Sequence, residues 1–453
     1  MTLNKGREES VPADSSKPDA SMPSRKFLFA HWEGGGNTPP MLGIVRRLLE
    51  RGHAVRVLSD PCNRADVEGA GASFGSWTRA PRRLDKSVDT DVIRDWEVSS
   101  PLAMVGRLRD RLFIGPALAY AQDILEELKC FPADVVVTSE MLFGVMAGAE
   151  AAGVPCVSLA ANIFPFPQKG VPPFGPGLKP ATGVLSRLRD RFITMMSMRE
   201  FAKGRHAFNE TRSALGLAPL SHPFDQLGRL ARHVVLTSRD FDFASPEPPP
   251  HLVYAGAVLD DPRWTDSWQS PWEASDQRPL VLVGFSTTFQ NQRGPLGRVI
   301  EALGTLDVRA VVTAGPSIDT TSLPGSANVH VCASAPHSLL LKDAALAITH
   351  AGHGTVIRAL AAGVPLVCMP MGRDQNDNAA RVEARGAGLR LTPGASAEKI
   401  RQAVRQVLAQ PQYRERARRL GQSIVADARD SKAVPELERV ATRASFVSSL
   451  VRG

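Results

Sequence analysis

Short apolar runs, each followed by a turn and then by residues at helical spacing, recur along this chain. That alternation constrains the fold more than any other feature. Lys26-Phe-Leu-Phe-Ala-His31 fits a buried strand, and a glycine-rich turn from Glu33 to Asn37 follows it. Met41, Leu42, Val45, Leu48 and Leu49 then repeat at helical spacing. Arg51-Gly52-His53 closes that helix with glycine in the C-terminal turn position, and Ala54 to Leu58 is the next strand. Strand, helix and strand joined by short connections make a βαβ unit, which implies a parallel sheet.

The order continues with strands expected at Ala72–Trp77, Asp134–Thr138, Pro155–Leu159 and His233–Thr237. Helices are expected over most of Arg82–Lys129, over Met141–Ala152 and over Val184–Leu215. The proline-rich stretch Pro246–Gln277 reads as a linker with a covering loop. A second unit then opens with strands at Leu280–Gly284, Val308–Thr313, Ala345–Thr349 and Leu366–Met369, with helices at Leu296–Leu306, Gly354–Ala362 and Arg373–Arg385. The fold class is therefore α/β: two doubly wound domains facing across a cleft, with ligands expected outside the carboxyl ends of the strands.

Composition narrows the function. The chain has 453 residues, of which 43% are hydrophobic and 22% charged, the balance of an ordinary globular protein. Its 37 glycines and 35 prolines show no period, so they mark turns and close backbone approaches and not a collagen-like repeat. The net charge of +8 suggests an anionic partner. Yet the arginines are interspersed with acids, and the densest cluster, Arg401 to Arg419, reads as the solvated face of two helices around Pro411. Aromatic residues are only 6%, too few for base-stacking platforms, so nucleic acid is set aside. The five cysteines form no C-x-x-C pair, which fits a reduced, cytoplasmic protein without structural zinc. The most apolar region, Met141–Pro167, is interrupted by Glu150, Gly153, Pro155 and Asn162, so no stretch of ~20 residues suits a membrane span. The first 24 residues are polar and read as a disordered tail, not a secretory signal.

Two further segments stand out. The loop Ala161–Thr182 is rich in proline, glycine and phenylalanine, and loops longer than ~15 residues are usually functional or disordered. Its Phe164, Phe166 and Phe174 suit either loop packing or the walls of a ligand site. The near-repeat of Arg107–Ile114 and Arg187–Ile193 reads as amphipathic helices, or as a basic and apolar rim that touches lipid.

The most informative stretch is Thr349-His-Ala-Gly-His-Gly-Thr355, followed by Gly363-Val-Pro365 and Arg373-Asp-Gln-Asn-Asp-Asn378. His350 and the glycines fall where a buried strand ends and a helix begins. Such a turn exposes backbone N–H groups and the positive end of the helix dipole. Gly352 and Gly354 let a ligand approach, Thr355 offers a hydroxyl, and His350 can donate to an anionic oxygen. This is a diphosphate cradle that needs no metal. It is neither a Walker loop nor a G-x-G-x-x-G fingerprint.

The stretch resembles the signature of family-one glycosyltransferases of the GT-B fold, the nucleotide-diphosphosugar enzymes that include macrolide and other natural-product glycosyltransferases. The resemblance is specific over Pro279–Leu391 and weaker over Lys26–Leu159. It implies two Rossmann-like domains: an acceptor-binding domain over 25–240, a linker over 241–275, a nucleotide-sugar domain over 276–427, and a C-terminal helix, 428–453, returning to the first domain. It implies that His350 contacts the diphosphate and that Thr355 is the family's small hydroxyl residue; Gly352 and Gly354 belong to the same nucleotide-sugar cradle, and His353 either contacts the ligand or only covers it. By the same mapping Asp374 and Gln375 read sugar hydroxyls, Ser286, Thr287 and Thr288 form a donor-side loop, and Ala335 and His337 lie in the base-binding segment. No cofactor or metal is implied beyond a UDP- or dTDP-sugar donor. The acceptor would be small and apolar, a natural product or lipid-like molecule, and the protein a monomer or homodimer.

Departures from the pattern carry information too. The aromatic residue that often stacks on uracil falls at Ser334, and the acid that often holds the ribose falls at Arg358. A guanidinium accepts no hydrogen bonds, so a dTDP-deoxysugar fits at least as well as UDP. The histidine that serves relatives as general base falls at Asn37, and its orienting aspartate falls at Ser139. Either His31, Glu33 or Glu140 substitutes, or the acceptor needs no strong base, or catalysis is lost. The expected reaction is inverting, metal-independent transfer of a hexose. An auxiliary sugar-nucleotide binder and a GT-B epimerase are the alternatives.

Overall fold

The computed structural model describes residues 23–98, 100–260, 268–285, 292–315 and 318–452, with side chains as far as Arg443. The predicted tail lies outside these residues but for its last two. Ser286, Thr287 and Thr288 and residues 261–267 of the linker lie outside them as well.

The first sheet has seven strands: β1 (Lys26–Ala30), β2 (Ala54–Ser59), β3 (Ser73–Ser76), β4 (Val135–Thr138), β5 (Cys156–Ala160), β6 (Arg232–Val235) and β7 (Leu252–Tyr254). All pairings are parallel, in the order β3-β2-β1-β4-β5-β6-β7. The second sheet has six: β8 (Leu280–Gly284), β9 (Arg309–Thr313), β10 (Val329–Cys332), β11 (Ala344–Thr349), β12 (Leu366–Cys368) and β13 (Gly388–Arg390). These are also parallel, in the order β10-β9-β8-β11-β12-β13. Helices cover both faces of each sheet, which is why the central strands are largely apolar on both sides. In β1, Phe27 and Phe29 enter one apolar cluster while Leu28 and Ala30 enter the other. In β8, Val281 and Val283 face one layer, Leu280 and Leu282 its opposite.

The helix Ala433–Arg452 lays Ala433, Val434, Leu437, Val440 and Ala441 against the first sheet. Glu438 accepts from Arg51 Nε at 2.6 Å and from His53 Nε2 at 2.9 Å. The other imidazole nitrogen, Nδ1, accepts from the Arg25 N–H, so His53 is a structural tie between the start and end of the chain. No helix among the described residues is long and apolar enough to cross a membrane.

Three strands were not expected: β7, β10 and β13. Each has three or four residues and lies at a sheet edge, where one neighbouring strand leaves little need for an apolar run. β7 falls within the stretch read as linker. The expectation of helix from Arg82 onward is corrected as well. Helices there cover Pro101–Leu108 and Ala117–Cys130, with a single wider turn over Arg109–Phe113 between them and one short tight turn at Asp95–Glu97, but none lies over Arg82–Arg94. Upstream, backbone donors are taken by buried carboxylates. The N–H groups of Thr78, Arg79 and Ala80 go to Asp123, and that of Arg83 goes to Asp60.

Candidate active site

The carboxyl ends of both sheets meet in the cleft. On the second domain, β11 runs into the turn His350–Gly352 and then the helix His353–Ala361. His350 is 8% exposed, and burial holds its imidazole down to about 4, so it is neutral at physiological pH. Its ring covers Gly352 so closely that a Cβ there would lie 2.4 Å from Nε2. Only glycine fits. Ala351 between them has φ +68°, an uncommon conformation for a residue with a side chain. Asn378 supports it by donating from Nδ2 to the Ala351 carbonyl at 3.0 Å. On the neighbouring strand ends, His337 Nε2 lies 2.9 Å from Thr313 Oγ1, and burial lowers this imidazole to about 4 too. Ala335 is half-buried beside it.

The loop after β12 carries the expected sugar readers. Asp374 is half-buried and caps the cradle helix, accepting from the His353 N–H and from Asn378 Nδ2 at 2.7 Å. Burial raises its carboxyl above the ordinary range. Gln375 Oε1 accepts from the Met371 N–H at 2.8 Å, shaping its own loop. Arg373 just before them has φ +54° and reaches across the cleft. Its guanidinium grips Asp95 through Nε at 2.5 Å and Nη2 at 3.3 Å, and donates to the Gly34 carbonyl at 3.1 Å.

On the first domain, β4 ends at Thr138, followed by Ser139 and Glu140. Glu140 is 5% exposed, and Ser139 Oγ donates to it at 3.2 Å. Among the described residues no cation pairs with it. Burial pushes its carboxyl up to about 7, and the negative charge of Asp374 across the cleft adds to the rise. The corner after β1 is different. His31 Nε2 meets Thr38 Oγ1 at 3.1 Å, and that hydroxyl donates to Glu33 Oε2 at 3.1 Å. Glu33 Oε1 accepts from the Gly35 N–H at 2.6 Å. Asn37 closes the loop, donating to the Trp32 carbonyl and accepting from the Gly34 N–H, each at 3.1 Å. Burial lowers His31 to about 3.

The proline-rich loop is pinned to the second domain. The Gly175 N–H donates to Asp377 at 2.7 Å and Arg390 donates to the Gly177 carbonyl at 2.8 Å. Gly177 has φ +64°, and a Cβ on it would lie 2.4 Å from the Asn376 carbonyl oxygen. Phe164, Phe166 and Phe174 line a cavity of about 160 Å³ with Met141 and Phe201. Its polar end is Asp377, raised by burial to about 7, and Arg381. Arg381 in turn pairs with Asp242 at 2.7 Å, with both side chains buried.

The structure therefore brings Glu140, Asp374, His350 and the cradle turn to one cleft, and all three phenylalanines to one cavity. His353 is engaged otherwise: its ring meets Thr237 Oγ1 at 2.9 Å and stands edge-on to Phe241. Sequence reasoning missed Asp95 and Asp377 and gave Arg373 and Asn378 no role, because these residues act through partners far away in the chain. Among the described residues no three of His, Cys, Asp or Glu converge as a metal site would need.

The comparisons with known proteins agree with this architecture. Residues 297–440 match the family described as erythromycin biosynthesis protein CIII-like, C-terminal domain. The chain is 32% identical over 402 residues to 4'-demethylrebeccamycin synthase of Lentzea aerocolonigenes, covering 87% of this chain and 94% of that one. It is 28% identical over 417 residues to UDP-glycosyltransferase 2 of Phaeomoniella chlamydospora, covering 84% and 90%. Among solved structures, CalG4, the calicheamicin glycosyltransferase, superposes with a TM-score of 0.74 at 23% identity, covering 93% of this chain and 99% of that one. The glycosyltransferase VinC, solved in complex with dTDP, gives 0.66 at 19%, covering 92% and 100%. The identity sustained over nearly the whole of both sequences, on two facing parallel sheets, settles the relationship: the chain belongs to the natural-product glycosyltransferases of the GT-B fold, enzymes that transfer a sugar.

Proposed function

We propose that the chain moves a hexose from a nucleotide diphosphate sugar to a small apolar acceptor, with inversion at the anomeric carbon, without a metal, and with Glu140 as general base. The observation that carries the proposal is the unpaired, buried Glu140 carboxyl raised to about 7 opposite Asp374. A base works best when its pKa lies near the working pH. His31, lowered to about 3 and held by Thr38, is a poor base, and Glu33 is fixed by Thr38 and Gly35.

In this reading the acceptor lies in the phenylalanine-walled cavity, and its hydroxyl or N–H gives its proton to Glu140 as it attacks the anomeric carbon. The bond to the diphosphate breaks, and the Gly354 N–H at the start of the helix His353–Ala361, with the Thr355 hydroxyl and the neutral His350, receives the developing charge. Asp374 and Gln375 orient the sugar. Arg358 makes its own bonds to the Asp260 and Gly354 carbonyls and accepts nothing from a ribose. We therefore favour dTDP over UDP as the carrier. A non-catalytic nucleotide-sugar binder is the second reading, favoured by the loss of the usual base to Asn37.

A panel of UDP- and dTDP-sugars in thermal shift and turnover assays tests both. A ligand at a hundred times its Kd stabilises by about 2.7 kcal/mol. Stabilisation with acceptor-dependent transfer supports the enzyme. Stabilisation with every acceptor inert, and with Glu140→Gln binding as the natural chain does, supports the binder.

A further inference from the structure

The helix Val184–Ala202 has two apolar sides. Thr194, Ser197, Met198 and Phe201 on its inner side line the acceptor cavity. On its outer side, Leu185 is 84% exposed, Leu188 57%, Phe192 59% and Met195 45%. Their spacing sets them on one stripe. Leu102, on the adjacent helix, is 38% exposed. Isolated exposed leucines need no explanation, but a contiguous stripe marks an interaction surface.

The flanks of the stripe identify the partner. At about 100° per residue, Arg187 and Arg191 fall on one side and Arg189 on the other. All three are exposed, and Asp190 is the one acid between Val184 and Met195. A second copy docked face to face by a two-fold axis would press these arginines together. An anionic plane would instead attract them while the apolar side chains sink into it.

We propose that the outer face of the helix Val184–Ala202 lies on an anionic membrane surface, setting the wall of the acceptor cavity against the bilayer. This extends the function proposed above but stands apart from it, because docking needs neither donor nor turnover.

Co-sedimentation with phosphatidylcholine vesicles, with and without phosphatidylglycerol, tests it. The chain should pellet only with the anionic vesicles, and rising salt should release it. Leu185→Gln/Leu188→Gln/Phe192→Gln should abolish pelleting while leaving the unfolding midpoint unchanged. Arg187→Ser and Arg191→Ser should each weaken it roughly five-fold. Failure of the natural chain to bind anionic vesicles overturns the proposal, as does undiminished binding by the triple variant. So does light scattering that finds a dimer which the triple variant dissolves, because the face would then be a subunit interface.

Discussion

The corner after β1 and the corner after β11 are built alike, each a buried parallel strand turning through glycines into a helix with a histidine at the bend. They differ in where their polar groups go. In the first, the side chains of His31, Glu33, Thr38 and Asn37 are spent within the loop, while Asp60, Trp77 and Arg373 hold the Glu33 N–H and the His31 and Gly34 carbonyls from outside. In the second, the supports come from outside the turn: Asn378 holds the Ala351 carbonyl and Asp374 meets the His353 N–H. A corner whose side chains are spent on its own loop is a scaffold. One held from outside keeps its helix start facing the cleft. The pair thus explains how the proposed base can lie on neither corner, but at the end of β4.

The largest effect should come from Glu140→Gln, which should lower kcat between about a hundred- and ten-thousandfold with little change in donor binding. In the natural chain kcat should rise with pH through about 7 as this carboxyl loses its proton, and the variant should lose that limb. Full activity in the variant would return the base to the first corner. His350→Ala should cost about a hundred- to a thousandfold in kcat, the usual range for a lost charge-stabilising donor, whereas His31→Gln should cost far less. Equal losses would erase the contrast.

Unfolding as a function of pH gives the next test. Burial lowers His31, His233, His337, His350 and His353 to about 3 or 4, so between about pH 4 and the ordinary 6.5 they bind protons only when unfolded. Stability from these groups is complete above 6.5 and falls as the pH falls. Asp60, Glu140 and Asp377 act oppositely. Raised to about 6 or 7, they hold protons in the folded state, and their contribution is lost as pH rises through those values. The imidazoles outnumber the carboxyls, so stability measured by guanidinium melts should fall on going from pH 6 to pH 5, by about 2 kcal/mol. A smaller effect, about 1–3 kcal/mol of stability together with weakened donor binding, is expected for Asn378→Ala, which strands the Ala351 carbonyl. Asn37→Ala should be smallest, within about 1 kcal/mol and with kcat nearly unchanged.

The second corner was legible in the sequence because its chemistry is local: His350, Gly352 and Thr355 lie within a few residues of one another, and their spacing states the turn. The first was half legible. Asn37 was visible as a departure, but its bonds to Trp32 and Gly34 were not. Arg373 was hidden because its partners, Asp95 and Gly34, are brought near only by the docking of one domain on the other. The edge strands β7, β10 and β13 escaped because a short strand with one neighbour carries no distinctive pattern. The segment from Arg82 to Val98 was misread because carboxylates take its backbone donors, Asp60 that of Arg83, Asp85 that of Ser87, and Asp91 those of Ile93 and Arg94.

The pinning of the proline-rich loop bears on recombination among such enzymes. The helix Gln375–Ala384 begins beside Asp374 and also carries Asp377 and Arg381, which hold Gly175 and Asp242 of the other half. A chimaera that joins this N-terminal half to another C-terminal half therefore separates the buried Asp242 from its cation, and removing one member of such a pair costs about 3–5 kcal/mol. The domains are separate in topology but not interchangeable parts. Grafts that carry Ala161–Thr182, Asp242 and Gln375–Ala384 together should yield folded hybrids, whereas those cut between them should not.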